Sequence, residues 1–341
     1  MHRLALLCLV LLSGCAHDPQ DVGLIISDQH NLAEPKIQYL GVGGWLLHWQ
    51  GEGLLLAPSF SNPAFLGIKG IPPVRVVAAP EKIERYMPAA DDVTMLLVGH
   101  AHYDHLLDVP LVVNRHTPKA TVYGSETVAH ILRGAQPPLT NVVVPSDQQI
   151  SRVGHPQQPG TWFYSSSKHL RAMPIESMHA GHIFGINLLP GSYATDLDEL
   201  PRYVGNWKLG KHTLAWLIDL LDDNGQPIYR LHYQDSAAQP PYGFPPVLSD
   251  GKAIDVTILC AGSWDQVNHY PDALLQLTQP RQVLVGHWEN FFGNDPQKPQ
   301  TIPGQTPIGM LKAIAASVPT AEVVVPAPLS EVQLPAPESA H

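Results

Sequence analysis

The sequence predicts an α/β fold with covered sheets, and three observations carry that reading. Apolar runs of strand length come first in groups and then alternate with helical patterns, the order expected when helices cover the faces of a sheet. The 341 residues are 44% hydrophobic and 15% charged, enough for a sizeable core and too apolar for long disorder. Several runs also hand over, at their C-terminal ends, to a histidine or an aspartate. Rigid strands deliver functional side chains in that way.

The elements follow in order. "KIQYLGVGGWLLHWQGEGLLLAP" (36–58) reads as two or three strands joined by glycine turns. "VRVVAAP" (74–80) and "DVTMLLVG" (92–99) are short enough for buried strands and too short for helices. "SETVAHILRGA" (125–135) predicts a helix, with Ser125 as N-cap, Val128, Ile131 and Leu132 on one face and Gly134 at its end. Residues 161–179 predict a hairpin, and 211–235 a stronger one around Asp222-Asp223-Asn224-Gly225. "AIDVTILCAG" (253–262) is a buried strand, 271–279 a helix opened by proline, 281–292 a strand followed by a loop, and 306–317 a last helix. The polar residues 16–35 read as a tether, 36–325 as the folded domain, and the proline-rich 326–341 as an extended segment with a frayed end.

The first fifteen residues, "MHRLALLCLVLLSGC", are not fold. Arg3 precedes an apolar run, Leu4 to Leu12, far shorter than the roughly 20 residues that span a bilayer but right for a signal-peptide core. Leu12-Ser13-Gly14-Cys15 resembles the bacterial lipobox. An ordinary secretory signal with a chance cysteine is the alternative. The resemblance implies cleavage before Cys15, a lipid on that residue and, with Ala16 next, an envelope lipoprotein on the outer membrane facing the periplasm. Cys8 would leave with the signal, so only Cys260 remains, in an apolar run, and no internal disulfide is expected. Any metal must be held by His, Asp and Glu. The formal charge of −10, with no Lys/Arg run, argues against a nucleic-acid partner.

"LLVGHAHYDHLLD" (96–108) places His100, His102, Asp104 and His105 within six positions. Four titratable side chains so close together are costly to bury unless something uses them. His179, Asp235 and His287 each follow a separate strand-like run. Neutral imidazole and carboxylate suit Zn²⁺ or Fe²⁺. Six or seven such ligands exceed one tetrahedral ion and suit two, about 3.5–4 Å apart, with one carboxylate bridging.

"HAHYDH" matches the H-x-H-x-D-H signature of the metallo-β-lactamase fold superfamily, and the later ligands fall in that superfamily's order. "GVGGWLLHWQGEGLLLAPSFSNP" and "VGHWENFF" resemble the branch that includes the ascorbate-phosphate lactonase and N-acyl-phosphatidylethanolamine phospholipase D. The resemblance spans roughly residues 36–325. It implies a four-layer αβ/βα sandwich. His100, His102 and His179 would hold one ion, Asp104, His105 and His287 the other, and Asp235 would bridge. Zinc is the expected metal, with iron or manganese as alternatives. Catalysis would depend on the carboxylates of Asp104 and Asp235. In "SMHAGH", His182 competes with His179 as third ligand; otherwise it supports the ligands or donates a proton to the leaving group. Many relatives carry Asp-Pro where this chain has Ala57-Pro58, so a supporting acid is missing. His48, His169 and His212 receive no role. Trp45, Trp49, Trp288, Phe291 and Phe292 read as core or pocket wall, and the loop 183–210 as a cover for the site.

Hydrolysis by a metal-bound hydroxide is the reaction expected of two such ions, and the resemblance to that branch implies an ester-type bond, a phosphodiester or a lactone. The redox branch of the superfamily replaces the second signature histidine with glutamate, whereas this chain has His102. The substrate would be a small or lipid-like molecule. The alternative is a non-catalytic envelope protein, metal-binding or scaffolding, that has kept the site.

Overall fold

A computed structural model describes residues 16–182 and 186–337. The signal segment with Cys15, residues 183–185 of the expected cover and the last four residues of the tail lie outside the described residues.

Two seven-stranded sheets form the body. The first contains β1 (Lys36–Gly41), β2 (Gly44–Trp49), β3 (Glu52–Leu56), β4 (Val93–Leu97), β5 (Thr121–Tyr123), β6 (Val142–Val143) and, on its far edge, β14 (Glu331–Gln333), in the order β14-β1-β2-β3-β4-β5-β6. The second contains β7 (Phe163–Tyr164), β8 (Leu170–Ser177), β9 (Thr213–Leu221), β10 (Pro227–Tyr233), β11 (Val256–Cys260), β12 (Gln282–Gly286) and β13 (Glu322–Val324), in the order β13-β12-β11-β10-β9-β8-β7. Each sheet is antiparallel on one half and parallel on the other. The antiparallel halves use short turns, and parallel pairs need crossovers, which is where the helices fall. These are α1 (Pro80–Tyr86), α2 (Tyr103–Leu106), α3 (Val109–Arg115), α4 (Glu126–Arg133), α5 (Asp272–Thr278) and α6 (Ile308–Ser317).

Period-two alternation sorts the side chains into layers. Trp45, Leu47, Leu54, Leu56, Met95 and Leu97 of the first sheet join Trp216, Ile218, Leu220, Tyr229 and Leu231 of the second in one central core. The intervening Leu46, Leu55, Leu96 and Val122 face the other way, onto Ile83 of α1, Val112 of α3 and Val128, Ile131 and Leu132 of α4. Leu274 and Leu275 of α5 and Met310 and Ile314 of α6 pack with the second sheet. The architecture is the four-layer αβ/βα sandwich. Ser125 caps α4 as its sequence predicts, its Oγ accepting from the Val128 N–H at 3.4 Å.

Two expectations need correction. Residues 74–80 form no strand. Pro72 and Pro73 precede them, Pro80 opens α1, and among the described residues a single bridge between Arg75 and Tyr203 is their only sheet-like pairing. Only Val76 is buried, while Val74 and Val77 are about half exposed. The stretch expected to be a tether is also packed down, with Leu24 in the central core, Ser27 bridged to Pro326 and the Leu32 N–H donating to Glu331. The tail is extended as expected, but through β14 it pairs with β1 before any fraying.

Candidate metal centre

Four strand ends converge. β4 runs through Gly99 into His100 and His102, and the short α2 carries Asp104 and His105. β8 leads to His179, β10 to Asp235 and β12 to His287. Three groups of ligand atoms, each within 4.8 Å of one another, result: His100, His102 and His179; Asp104, His105 and His287; and His100, His105 and Asp235. Asp235 alone among the carboxylates sits with one ligand from each of the other two groups. Its Oδ1 lies 3.1 Å from His100 Nδ1 and its Oδ2 3.5 Å from His105 Nδ1. Asp104 Oδ2 lies 3.3 Å from His287 Nε2 and 3.5 Å from His105 Nε2.

Two glycines make this packing feasible. A Cβ on Gly99 would fall 2.3 Å from the Asp235 carboxylate, whose Oδ2 accepts the Gly99 N–H at 3.0 Å. A Cβ on Gly43, in the β1–β2 turn, would fall 2.5 Å from the His105 ring. The glycines of "GVGGW" and "LVGH" are therefore partly there to let the ligands close up.

The hydrogen bonds assign tautomers. A carbonyl or carboxylate oxygen can only accept, so His100 Nδ1 donates to Asp235, His102 Nε2 to the Leu189 carbonyl at 3.4 Å and His179 Nδ1 to its neighbour's carbonyl, Ala180, at 2.6 Å. Each of the three is left with one nitrogen lone pair free for a cation. His100 Nε2, His105 Nδ1 and His287 Nδ1 are buried with no hydrogen-bond partner. Orphaned imidazole nitrogens of this kind, gathered with two carboxylates, fit a site for divalent cations.

Electrostatics prepare the same state. Burial, and then the nearby rings, push His102 and His179 well below the ordinary imidazole range and His105 to about 3; burial also lowers His182. Neutral imidazole is the ligating form. Burial opposes the charge on Asp104 and Asp235, but neighbouring histidines outweigh it. His105 and His287 hold Asp104 well below the usual carboxylate range, and His100 and His105 lower Asp235.

His182 falls outside the three groups. Its ring stacks on His179 at 4.9 Å and lies 5.4 Å from that of His102. Its Nδ1 accepts the Leu188 N–H at 3.2 Å, so the neutral ring carries its proton on Nε2. The described part of loop 183–210 does lie against the centre, through Leu188, Leu189 and the Leu209 carbonyl, which accepts the Ala101 N–H at 3.2 Å. His48, His169 and His212 pair instead with Asp92, Asp223 and Asp147.

Sequence reasoning missed two supports. His287 has φ 56°, a left-handed backbone that a non-glycine residue enters at a cost. Its N–H donates to Tyr39 Oη at 2.8 Å, Tyr39 donates to Glu289 Oε2 at 2.6 Å, and Glu289 Oε1 accepts the Val42 N–H at 2.6 Å. Burial, and then the adjacent Glu289, push the Tyr39 phenol well up, so it stays a donor. Asp108, also buried, accepts the Phe60 and Ser61 N–H groups at 2.6 and 2.7 Å and the Ser61 hydroxyl, tying the loop after β3 to the start of α3. Asp108 closes the stretch "HAHYDHLLD", and a buried acid there was the available signal. For Glu289 the only hint is its place two residues after His287.

No protein-family model matches this chain, and no curated protein does. Solved structures do. Igni18, described as a novel metallo hydrolase from the hyperthermophilic archaeon Ignicoccus hospitalis, aligns over 87% of this chain and 97% of its own with a TM-score of 0.50 and 14% identity. The isothiocyanate hydrolase from Delia radicum gut bacteria aligns over 87% of this chain and 98% of its own, with a TM-score of 0.50 and 12% identity. YhfI from Bacillus subtilis, a metallo-β-lactamase fold protein, aligns over 87% and 99% with a TM-score of 0.48 and 12% identity. The first two likenesses establish a shared fold.

Proposed function

We propose that this chain is a metal-dependent hydrolase that uses two divalent ions, zinc by preference, to cleave an ester-type bond, a phosphodiester or a lactone, in the cell envelope. The observation that carries this reading is the position of Asp235 between two ligand triads, facing one histidine of each. A non-catalytic metal store does not need a carboxylate shared between two sites. That both structural neighbours at a TM-score of 0.50 are named hydrolases supports the reaction class.

His100, His102 and His179 would hold one ion, Asp104, His105 and His287 the other, and Asp235 would touch both. The ions, when bound, supply Lewis acidity to water and to the bond under attack. The chain does the rest. Asp104 and Asp235 remain anionic, so the site keeps its cation affinity across neutral pH. The depressed histidines stay neutral and do not compete by taking protons. His182, with its proton on Nε2 and its ring against His179, would donate a hydrogen bond from that nitrogen to a leaving oxygen. The envelope location rests on the Leu12-Ser13-Gly14-Cys15 segment.

The test is elemental analysis of the full chain after reconstitution with zinc, iron or manganese, followed by a panel of phosphodiester, lactone, thioester and β-lactam substrates. Two ions per chain and turnover of a phosphodiester or lactone are expected. One ion or none, or a panel without turnover by the loaded chain, removes the reading.

A further inference from the structure

We propose that the loop spanning residues 63–77, fastened beside the metal centre, is a docking surface for a phospholipid bilayer. The inference deepens the envelope reading and rests on it for what brings the chain to the membrane.

The loop presents apolar side chains to solvent. Leu66 is 81% exposed, Ile68 54%, Val77 53% and Val74 47%, with Phe65 at 36%. Grouped exposure of this kind marks an interaction site more often than scattered single residues do. The presentation is built. Leu66 stands at the tip with φ 49°, in the left-handed region that a branched residue enters only at a cost. The backbone around it is closed on itself: the Phe65 N–H donates to the Ile71 carbonyl, Gly67 to Ala64, Ile68 to Phe65 and Ile71 to Ile68, at 2.9–3.3 Å. Each donor paired in this way is one fewer to strip of water when the tip enters a lipid headgroup layer.

The loop is fastened beside the metal ligands. The Gly70 N–H donates to the Phe292 carbonyl at 2.9 Å and the Gly293 N–H to the Asn62 carbonyl at 2.9 Å. Phe291, next in that segment, packs edge-on against the His287 ring at 4.9 Å. The described chain begins on the same face. The His17 N–H donates to Thr301 Oγ1 at 3.2 Å, and the Thr301 N–H returns to the His17 carbonyl at 2.9 Å. Thr301 in turn bridges Glu289.

Cys15 precedes His17 by two residues, which reach about 7 Å at full extension. A lipid on Cys15 would therefore enter a bilayer close to Thr301. Arg75 and Lys298, both exposed, supply cations for lipid phosphates at that depth. No helix among the described residues is long and apolar enough to cross a membrane.

The bilayer is the occupant these constraints select. Hydroxyl-radical footprinting of the full chain on vesicles of phosphatidylethanolamine and phosphatidylglycerol tests it. Leu277, 56% exposed on α5, is the internal reference. In water Leu66 should oxidise at least as fast as Leu277; on vesicles it should oxidise several-fold more slowly. Equal rates on vesicles overturn the proposal. So does protection of Leu66 that follows protein concentration in the absence of vesicles, because a second copy then covers the loop. The mass of the N-terminal peptide from the same digest reads Cys15 separately. An unmodified Cys15 with a protected Leu66 removes the anchor and keeps the docking. A lipidated Cys15 with an exposed Leu66 does the reverse.

Discussion

On the second sheet, Arg230 is 2% exposed and Asp219 is fully buried, as deep as the histidines of the metal centre. Every N–H of the Arg230 guanidinium has an acceptor: Asp219 takes two at 2.7 and 2.8 Å, Asp250 two at 2.9 and 2.7 Å, and the Lys252 carbonyl one at 2.9 Å. Arg171 adds two more hydrogen bonds to Asp219 and lies over the Trp162 ring at 4.3 Å. At the strand ends the wiring is the opposite. His100, His105 and His287 each keep one buried nitrogen without a partner. An unmade buried hydrogen bond costs roughly 1–3 kcal/mol. The ion cluster is satisfied by the chain itself, and the histidine cluster is complete only with a cation. Burial and charge do not tell these two clusters apart, and their hydrogen bonding does.

The sharpest way to break the comparison is Asp235→Asn. It should lower turnover by several orders of magnitude, beyond the roughly 100-fold that marks loss of a partner behind a ligand. The metal-free chain should keep its unfolding midpoint. Turnover at the wild-type rate on the best panel substrate would place the activity elsewhere. Next comes Arg230→Met, which leaves Asp219 buried with only Arg171. Chemical denaturation should show a loss of about 3–5 kcal/mol, with metal stoichiometry in the folded fraction unchanged.

Glu289→Gln tests the support behind one ligand. Gln replaces one of two acceptors with a donor, so either Tyr39 or the Val42 N–H loses its partner. Calorimetric titration should show the second ion bound about 10–100-fold more weakly and the first unchanged. Equal weakening of both ions would mean a general loosening of the fold. The smallest effect belongs to Ser125→Ala, at the N-cap of α4. Loss of the α4 cap should cost about 1 kcal/mol in thermal unfolding and leave metal binding untouched.

The first ligands were legible because they are local. His100, His102, Asp104 and His105 share one loop, and the apolar runs before His179, Asp235 and His287 announce the strands that carry them. The sandwich was legible through the family resemblance and the alternation of elements. What escaped depends on contacts between distant residues. Nothing near Glu289 shows that its carboxylate reaches the β1–β2 turn, and a lone Leu24 in polar sequence does not advertise a core position. The run 74–80 has strand composition, but the prolines on either side deny it a partner. Choosing between His179 and His182 needed the ring positions.

The pairing of β14 with β1 ties Lys36 to Gln333 and Gln38 to Glu331, with the Lys36 ammonium 2.8 Å from the Glu331 carboxylate. The strand made last closes the edge of the strand made first. During synthesis β1 must wait, with one side open, until almost the whole chain has emerged, so the first sheet cannot be finished in the order in which it is written. A chain cut before residue 331 would keep every metal ligand and yet carry an unprotected strand edge, a template for joining neighbouring molecules. Residues 331–333 thus cover an edge of β1 that would otherwise be open to pairing.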